Sequence, residues 1–104
     1  MMNIKTMIVN VMVVLTVAVV QMKDTSMGGS FTPRDTIISA GDSVSWCSDK
    51  DNKSQHNAMH GEDWDTDLMA PGTCSKPIKF ATKGIIKYNC LPHSKDMMGT
   101  ITVK

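Results

Sequence analysis

Net charge is what this chain has least of: eleven Lys and Arg stand against ten Asp and Glu, a formal +1. It therefore lacks the positive field that grips phosphate backbones, which excludes nucleic acid as a partner. Repeats, charge blocks and low-complexity linkers are also missing, so 104 residues make one small domain, and a multidomain enzyme is excluded. No apolar stretch reaches the roughly 20 residues of a comfortable bilayer span. No C-x-x-C pair occurs, and a structural zinc site, which needs four closed ligands, is set aside. Aromatic residues number only two Trp, two Phe and one Tyr. Sulfur is what the chain does hold. Ten Met and three Cys direct attention to soft metal ligands, within an otherwise ordinary globular composition of 41% apolar and 20% charged residues.

The first residues stand apart from the rest. Met7 to Leu15 (MIVNVMVVL) is apolar except for Asn10 and follows Lys5, the pattern of a secretory signal. The small residues Thr16 and Ala18 predict cleavage after Ala18. Residues 1–18 then read as a signal peptide and 19–104 as the mature domain, with an uncleaved membrane anchor as the alternative. Export carries the cysteines into an oxidising compartment, periplasmic or otherwise extracytoplasmic.

From residue 19 onward, apolar residues recur with a period of two, as in strands with one wet and one dry face. Val20 and Met22 share a face, and Ile38, Val44 and Trp46 form a second series across the turn at Ala40-Gly41-Asp42. Ile78 and Phe80 alternate with Lys79. Ile86, Tyr88 and Cys90 oppose Lys87 and Asn89, and Ile101 and Val103 oppose Thr100, Thr102 and Lys104. Turn signals separate these series at Ser26–Ser30 with its Gly28-Gly29 pair, at Pro33-Arg34-Asp35, at Ala70-Pro71-Gly72 and at Lys83-Gly84. Short alternating strands divided in this way predict an all-β sandwich. Ser48 to Leu68 is polar and lacks alternation, which predicts a long connection carrying function, with one helical turn available at Asp63–Leu68. So small a domain would benefit from a covalent staple.

One stretch carries chemistry. Cys90-Leu91-Pro92-His93-Ser94-Lys95-Asp96-Met97-Met98-Gly99 places a thiol, an imidazole and thioethers in a single loop between two alternating strands, with Pro92 stiffening it. His56 offers a second imidazole from the long connection. Two imidazoles, one thiolate and a weak axial thioether make up the ligand set of a blue copper centre. Period two running back from Val103 and Ile101 places Gly99 and Met97 on the core side, so Met97 is the predicted axial ligand; Met98 is the alternative if a bulge intervenes. His60 and Met59 lie near His56 and suggest a second metal, but His60 reads as a loop histidine facing solvent, because binuclear copper would need a second thiolate between Leu91 and Met98. Met22, Met27, Met59 and Met69 read as core or rim fillers. Asn52-Lys53-Ser54 matches a glycosylation sequon.

The ligand loop does not stand alone. Phe31-Thr32-Pro33, Ile38 to Trp46 (ISAGDSVSW), His56-Asn57, Ala70-Pro71-Gly72 and Gly84 to His93 together resemble the cupredoxins, closest to the plastocyanin, amicyanin and pseudoazurin group. The resemblance runs over roughly residues 19–104. It implies a Greek-key β-sandwich with one copper ion at one end, alternating between Cu(I) and Cu(II) in a type 1 centre of His56, Cys90, His93 and Met97. It also implies that Asn57 ties the two ligand loops together, and that electrons leave through the edge of His93 amid an apolar rim of Leu91, Pro92 and Met27 to Gly29. In the resembled fold Cys47 and Cys74 lie on antiparallel neighbours, so a disulfide is expected, with two unreacted thiols as the alternative. The acidic run Glu62-Asp63-Trp64-Asp65-Thr66-Asp67 resembles the docking region of plastocyanins, or is simply a solvated loop. Asn89 stands where plastocyanins place a tyrosine, which favours the His93 exit. The implied function is a monomeric, non-enzymatic carrier shuttling single electrons between redox protein partners. Two other roles are weighed beside it: a copper protein whose open axial position meets a small molecule such as nitric oxide, and copper storage or delivery.

Overall fold

The computed structural model describes residues 15–104, so all of the apolar run of the expected signal or anchor except Leu15 lies outside the described residues. Nine strands form within that range: β1 (Val17–Thr25), β2 (Gly28–Thr32), β3 (Asp35–Ile38), β4 (Ser43–Ser48), β5 (Met59–His60), β6 (Trp64–Asp65), β7 (Ile78–Lys79), β8 (Gly84–Asn89) and β9 (Met98–Val103). They pair into a four-stranded sheet, β2-β1-β4-β7, and a five-stranded sheet, β3-β9-β8-β5-β6. The β1/β4 and β3/β9 pairs are parallel and the rest antiparallel. The chain crosses repeatedly between the sheets, giving the expected all-β sandwich. Among the described residues no helix is long and apolar enough to cross a membrane.

The period-two reading decides which side chains meet between the sheets. Val20, Met22, Val44 and Trp46 enter from one sheet, and Ile38, Tyr88, Ile101 and Val103 from the other, all buried. The scarce aromatics are not scattered. Phe31 and Trp46 pack edge-on against Tyr88 at 4.6 and 5.3 Å between ring centroids, Trp64 stacks on Trp46 at 5.1 Å, and Phe80 meets Trp64 at 5.6 Å. All five rings thus form one cluster, where edge-to-face and offset contacts add to plain burial.

Cys47 and Cys74 are joined by a disulfide. An unbroken β7 would turn Cys74 to the same side as Ile78, away from Cys47. The register explains why it does not: Val44 pairs with Ile78 but Cys47 with Cys74, three residues against four, so the β7 side carries one extra residue, a bulge that reverses the parity. The N–H of Ser75 donates to Trp46 O (2.7 Å), and Ser75 Oγ accepts from the N–H of Trp46 (2.9 Å), holding the bulge in place. The bridged residues are 27 apart in sequence; closing such a loop contributes about 3.5 kcal/mol in the chain-entropy model.

Three segments differ from the sequence expectation. The connection Ser48 to Leu68 is not free of strands: β5 and β6 pair with each other, and Met59 pairs with Asn89 of β8. Each is two residues long, too short to show a period. The helical turn expected at Asp63–Leu68 is replaced by a turn at Gly61–Asp63 and by β6, which brings Trp64 onto Trp46. Likewise Gly28 and Gly29 are not a loop. Thr25 pairs with Gly28, so the hairpin turn is only Ser26-Met27 and the glycines begin β2.

At the N-terminal edge, Val17 and Ala18 pair with Ser43 and Val44. A cut after Ala18 would shorten β1 by those two residues.

Candidate metal centre

Three connections converge at one end of the sandwich. The first is the β8–β9 turn. Its ladder closes at Asn89 and Met98, and just beyond, the N–H of Cys90 donates to Met97 O at 3.0 Å. Within this loop, Leu91–His93 forms a single 3-10 turn with Pro92 at its start, where a proline's missing N–H costs nothing. The N–H groups of Asp96 and Met97 return to His93 O at 3.0 and 2.9 Å. The loop therefore closes on itself and turns Cys90, His93 and Met97 the same way.

The second connection brings His56, which pairs with Met69 through a 2.9 Å bond from the N–H of Met69 to His56 O. His56, Cys90 and Met97 are completely buried; His93 is partly exposed. Cys90 Sγ stands 3.8 Å from His56 Nδ1 and 3.7 Å from His93 Nδ1. Among the described residues, these three form the one group of donors that could hold a metal ion, with all ligand atoms within 4.8 Å of one another. His60, by contrast, turns away, with Nδ1 against Lys87 O and Nε2 3.5 Å from Asp63.

The third connection is the start of β2. A Cβ added at Gly29 would come within 2.5 Å of Met97 Sδ and 3.1 Å of His56 Nδ1, and one at Gly28 within 2.6 Å of the His93 ring. Glycine is thus needed for close approach of backbone to ligand side chains. The same distances place the Met97 thioether beside His56. Met98 faces outward, 48% exposed, so of the two methionines it is Met97 that joins the cluster.

Hydrogen bonds fix the arrangement. Asn57 Oδ1 accepts from the N–H of Leu91 (2.7 Å), a bond from the residue after His56 to the residue after Cys90, and its Nδ2 donates to Asp65 Oδ1 (3.0 Å). His56 Nε2 lies 2.7 Å from Asp24 Oδ1, and the backbone N–H of Lys53, then the His56 side chain, hold the Asp24 carboxyl below its ordinary range. Burial pushes the Cys90 thiol up, opposed by the backbone N–H groups of Asn57 and His93. Asn52 of the sequon is buried, its amide bonded to the N–H of Asp24, Met22 O and Ser48 Oγ. That asparagine is a structural clamp, with no side-chain nitrogen presented to solvent.

The spacing suits one first-row metal ion. Bonds of about 2.3 Å to thiolate sulfur and about 2.0–2.1 Å to imidazole nitrogen, about 120° apart, put sulfur and nitrogen about 3.8 Å from each other. Both measured separations agree. The sequence pattern of copper-binding proteins of the plastocyanin/azurin family matches residues 16–104. The chain belongs to that family.

Solved structures of cupredoxins are similar to it in fold. A purple cupredoxin from Nitrosopumilus maritimus is 20% identical, the match covering 84% of this chain and 99% of that one, with a TM-score of 0.71. Amicyanin from Paracoccus versutus is 21% identical over 85% of this chain and 81% of its own, with a TM-score of 0.70. No curated protein sequence matches the chain. The cofactor is copper, and His56, Cys90, His93 and Met97 fit one type 1 site. Three supporting residues were invisible in the sequence. Asp24 and Asn52 precede His56 by 32 and 4 residues with no motif linking them, and Asp65 stands out in the sequence only as part of an acidic run.

Proposed function

We propose that the protein is an extracytoplasmic electron carrier with no catalytic cycle of its own. Bound copper supplies a one-electron couple between Cu(I) and Cu(II). The chain's part would be to hold the ion with His56, Cys90, His93 and Met97, in positions that the fold sets beforehand, so that little rearrangement would accompany the gain or loss of one electron. The observation that carries this reading is the pair of 3.7 and 3.8 Å separations from Cys90 Sγ to the two imidazole Nδ1 atoms, set by the fold itself. Gly29 and Met97 crowd the space beside His56, which supports a carrier over an open axial position reacting with nitric oxide, and over a store that must release its ion.

His93 is the proposed exit. Its ring touches Gly28, and Met27 and Leu91 beside it are 68% and 59% exposed, an apolar rim against which a redox partner would dock transiently while the carrier stays monomeric. Glu62, Asp63 and Asp67 are exposed and would steer a basic partner. The N-terminal segment supports export, as a signal peptide or an anchor.

Optical and electron paramagnetic resonance spectra of the copper-loaded protein test the reading. An intense thiolate-to-copper band and a reversible one-electron titration are expected. Exchangeable Cu(I) without the band would point to storage, and rapid reaction of a small ligand to the nitric oxide role. Met97→Gln should keep copper and shift the spectrum, whereas Met98→Gln should leave it unchanged.

A further inference from the structure

His56 has no exposed surface, and what meets its outer nitrogen is a carboxylate. Asp24, near the end of β1, reaches His56 Nε2 at 2.7 Å through Oδ1. Its Oδ2 accepts from the N–H of Lys53 at 2.7 Å, with that of Ser54 at 3.4 Å. Its own N–H donates to Asn52 Oδ1 at 2.8 Å, while Asn52 Nδ2 holds Met22 O and Ser48 Oγ. The connection after β4 is thus folded around the end of β1 and fixes the carboxylate on the imidazole.

We infer that Asp24 is a positioning residue for the copper ligand His56, fixing its proton on Nε2 and placing a negative charge behind the ring that lowers the reduction potential of the site. An ionised carboxylate only accepts hydrogen bonds, so the proton between the pair sits on Nε2. That leaves the lone pair on Nδ1, the atom facing Cys90 Sγ. A carboxylate behind a ligating imidazole raises its basicity and fixes its orientation. A negative charge on that axis favours the more positive oxidation state of an ion at Nδ1. The side chain is 31% exposed, so solvent screens part of this effect. The inference rests on the copper reading of the site.

Two measurements on the full chain test it. In the metal-free protein, nitrogen-15 NMR should show His56 protonated at Nε2 in a single tautomer, and Asp24→Ala should mix the tautomers. In the copper-loaded protein, Asp24→Asn keeps an oxygen facing Nε2 but removes the charge. Its potential should rise by a shift of about tenfold in the oxidised-to-reduced equilibrium, about 59 mV for one electron. A role confined to packing would leave the potential where it was. An unchanged potential with an intact thiolate band overturns the inference and spares the copper reading, as does a wild-type His56 protonated at Nδ1. If the wild type forms no thiolate band the copper reading fails, and the NMR arm alone then decides whether Asp24 fixes the ring.

Discussion

His56 and His93 are the same side chain in two different settings. His56 has no exposed surface, is bonded at Nε2 to Asp24 from 32 residues away, and sits in a loop clamped to β1 by Asn52. His93 ends a single 3-10 turn, is partly exposed, and is held through backbone bonds inside its own loop, from Asp96 and Met97 to its carbonyl. The hydrogen bonds that brace one ligand come from far along the chain, and those that brace the other come from its own loop. An electron carrier needs both: a fixed anchor that keeps the donor geometry constant, and an accessible edge that brings a partner within reach. The difference follows from topology, since Asp24 of β1 and Gly29 of β2 both close on His56, whereas His93 meets β2 at Gly28 and keeps part of its surface in solvent.

The sulfur between the two rings makes them one site, and the largest effect is expected there. Cys90→Ser should abolish the visible thiolate band completely while the sandwich keeps its circular dichroism, because the hydroxyl fits the buried volume but is a hard, weakly acidic ligand. Undiminished colour in that variant would mean that the two imidazoles answer to some other donor.

A smaller effect separates the rings themselves. His93→Gly opens a gap at the surface, and free imidazole should enter it and restore the visible band. His56→Gly opens a fully buried gap and leaves Asp24 without its partner, so restoring the band should take at least about tenfold more imidazole, a difference of about 1.4 kcal/mol in binding. Optical titration of both variants checks this, and equal rescue would erase the distinction between a braced and an accessible ligand.

The same contrast explains what could be read from the sequence. The Cys90 to Met97 loop was legible because its chemistry is local: three donors within eight residues, and a strand period that turns Met97 inward and Met98 outward. The strands around it were legible for the same reason, as Tyr88, Ile101 and Val103 obey period two. The bracing of His56 was not, because Asp24, Asn52 and Asp65 act across contacts that no spacing encodes. Asn52 even carried a misleading pattern, a sequon whose amide is spent on backbone and side-chain partners. Gly28-Gly29 reads as a loop because a turn and a close approach demand the same residue; only the packing of Met97, His56 and His93 against it tells them apart. Cys74 escaped parity because a bulge at Ser75–Pro77 reverses it.

The smallest effect lies where β4 begins, where Asp42 offers a control for Asp24. Both are aspartates that cap a backbone turn, and both have lowered pKa values, but Asp42 touches no ligand. Its carboxylate accepts from the N–H groups of Thr16 (3.2 Å) and Ser39 (3.0 Å), which hold it below the ordinary range. A carboxyl lowered in the folded state stabilises the fold above its unfolded value, about 3.9, and that contribution disappears as pH falls through the lower folded value. Asp42→Asn should therefore make stability fall less steeply below about pH 4, with proton uptake on unfolding reduced in that window, as acid denaturation followed by circular dichroism would show. Its copper spectrum and potential should not move. A potential that shifted with Asp42→Asn as it does with Asp24→Asn would show that any loss of carboxylate charge retunes the centre, and the special place of Asp24 behind His56 would be lost.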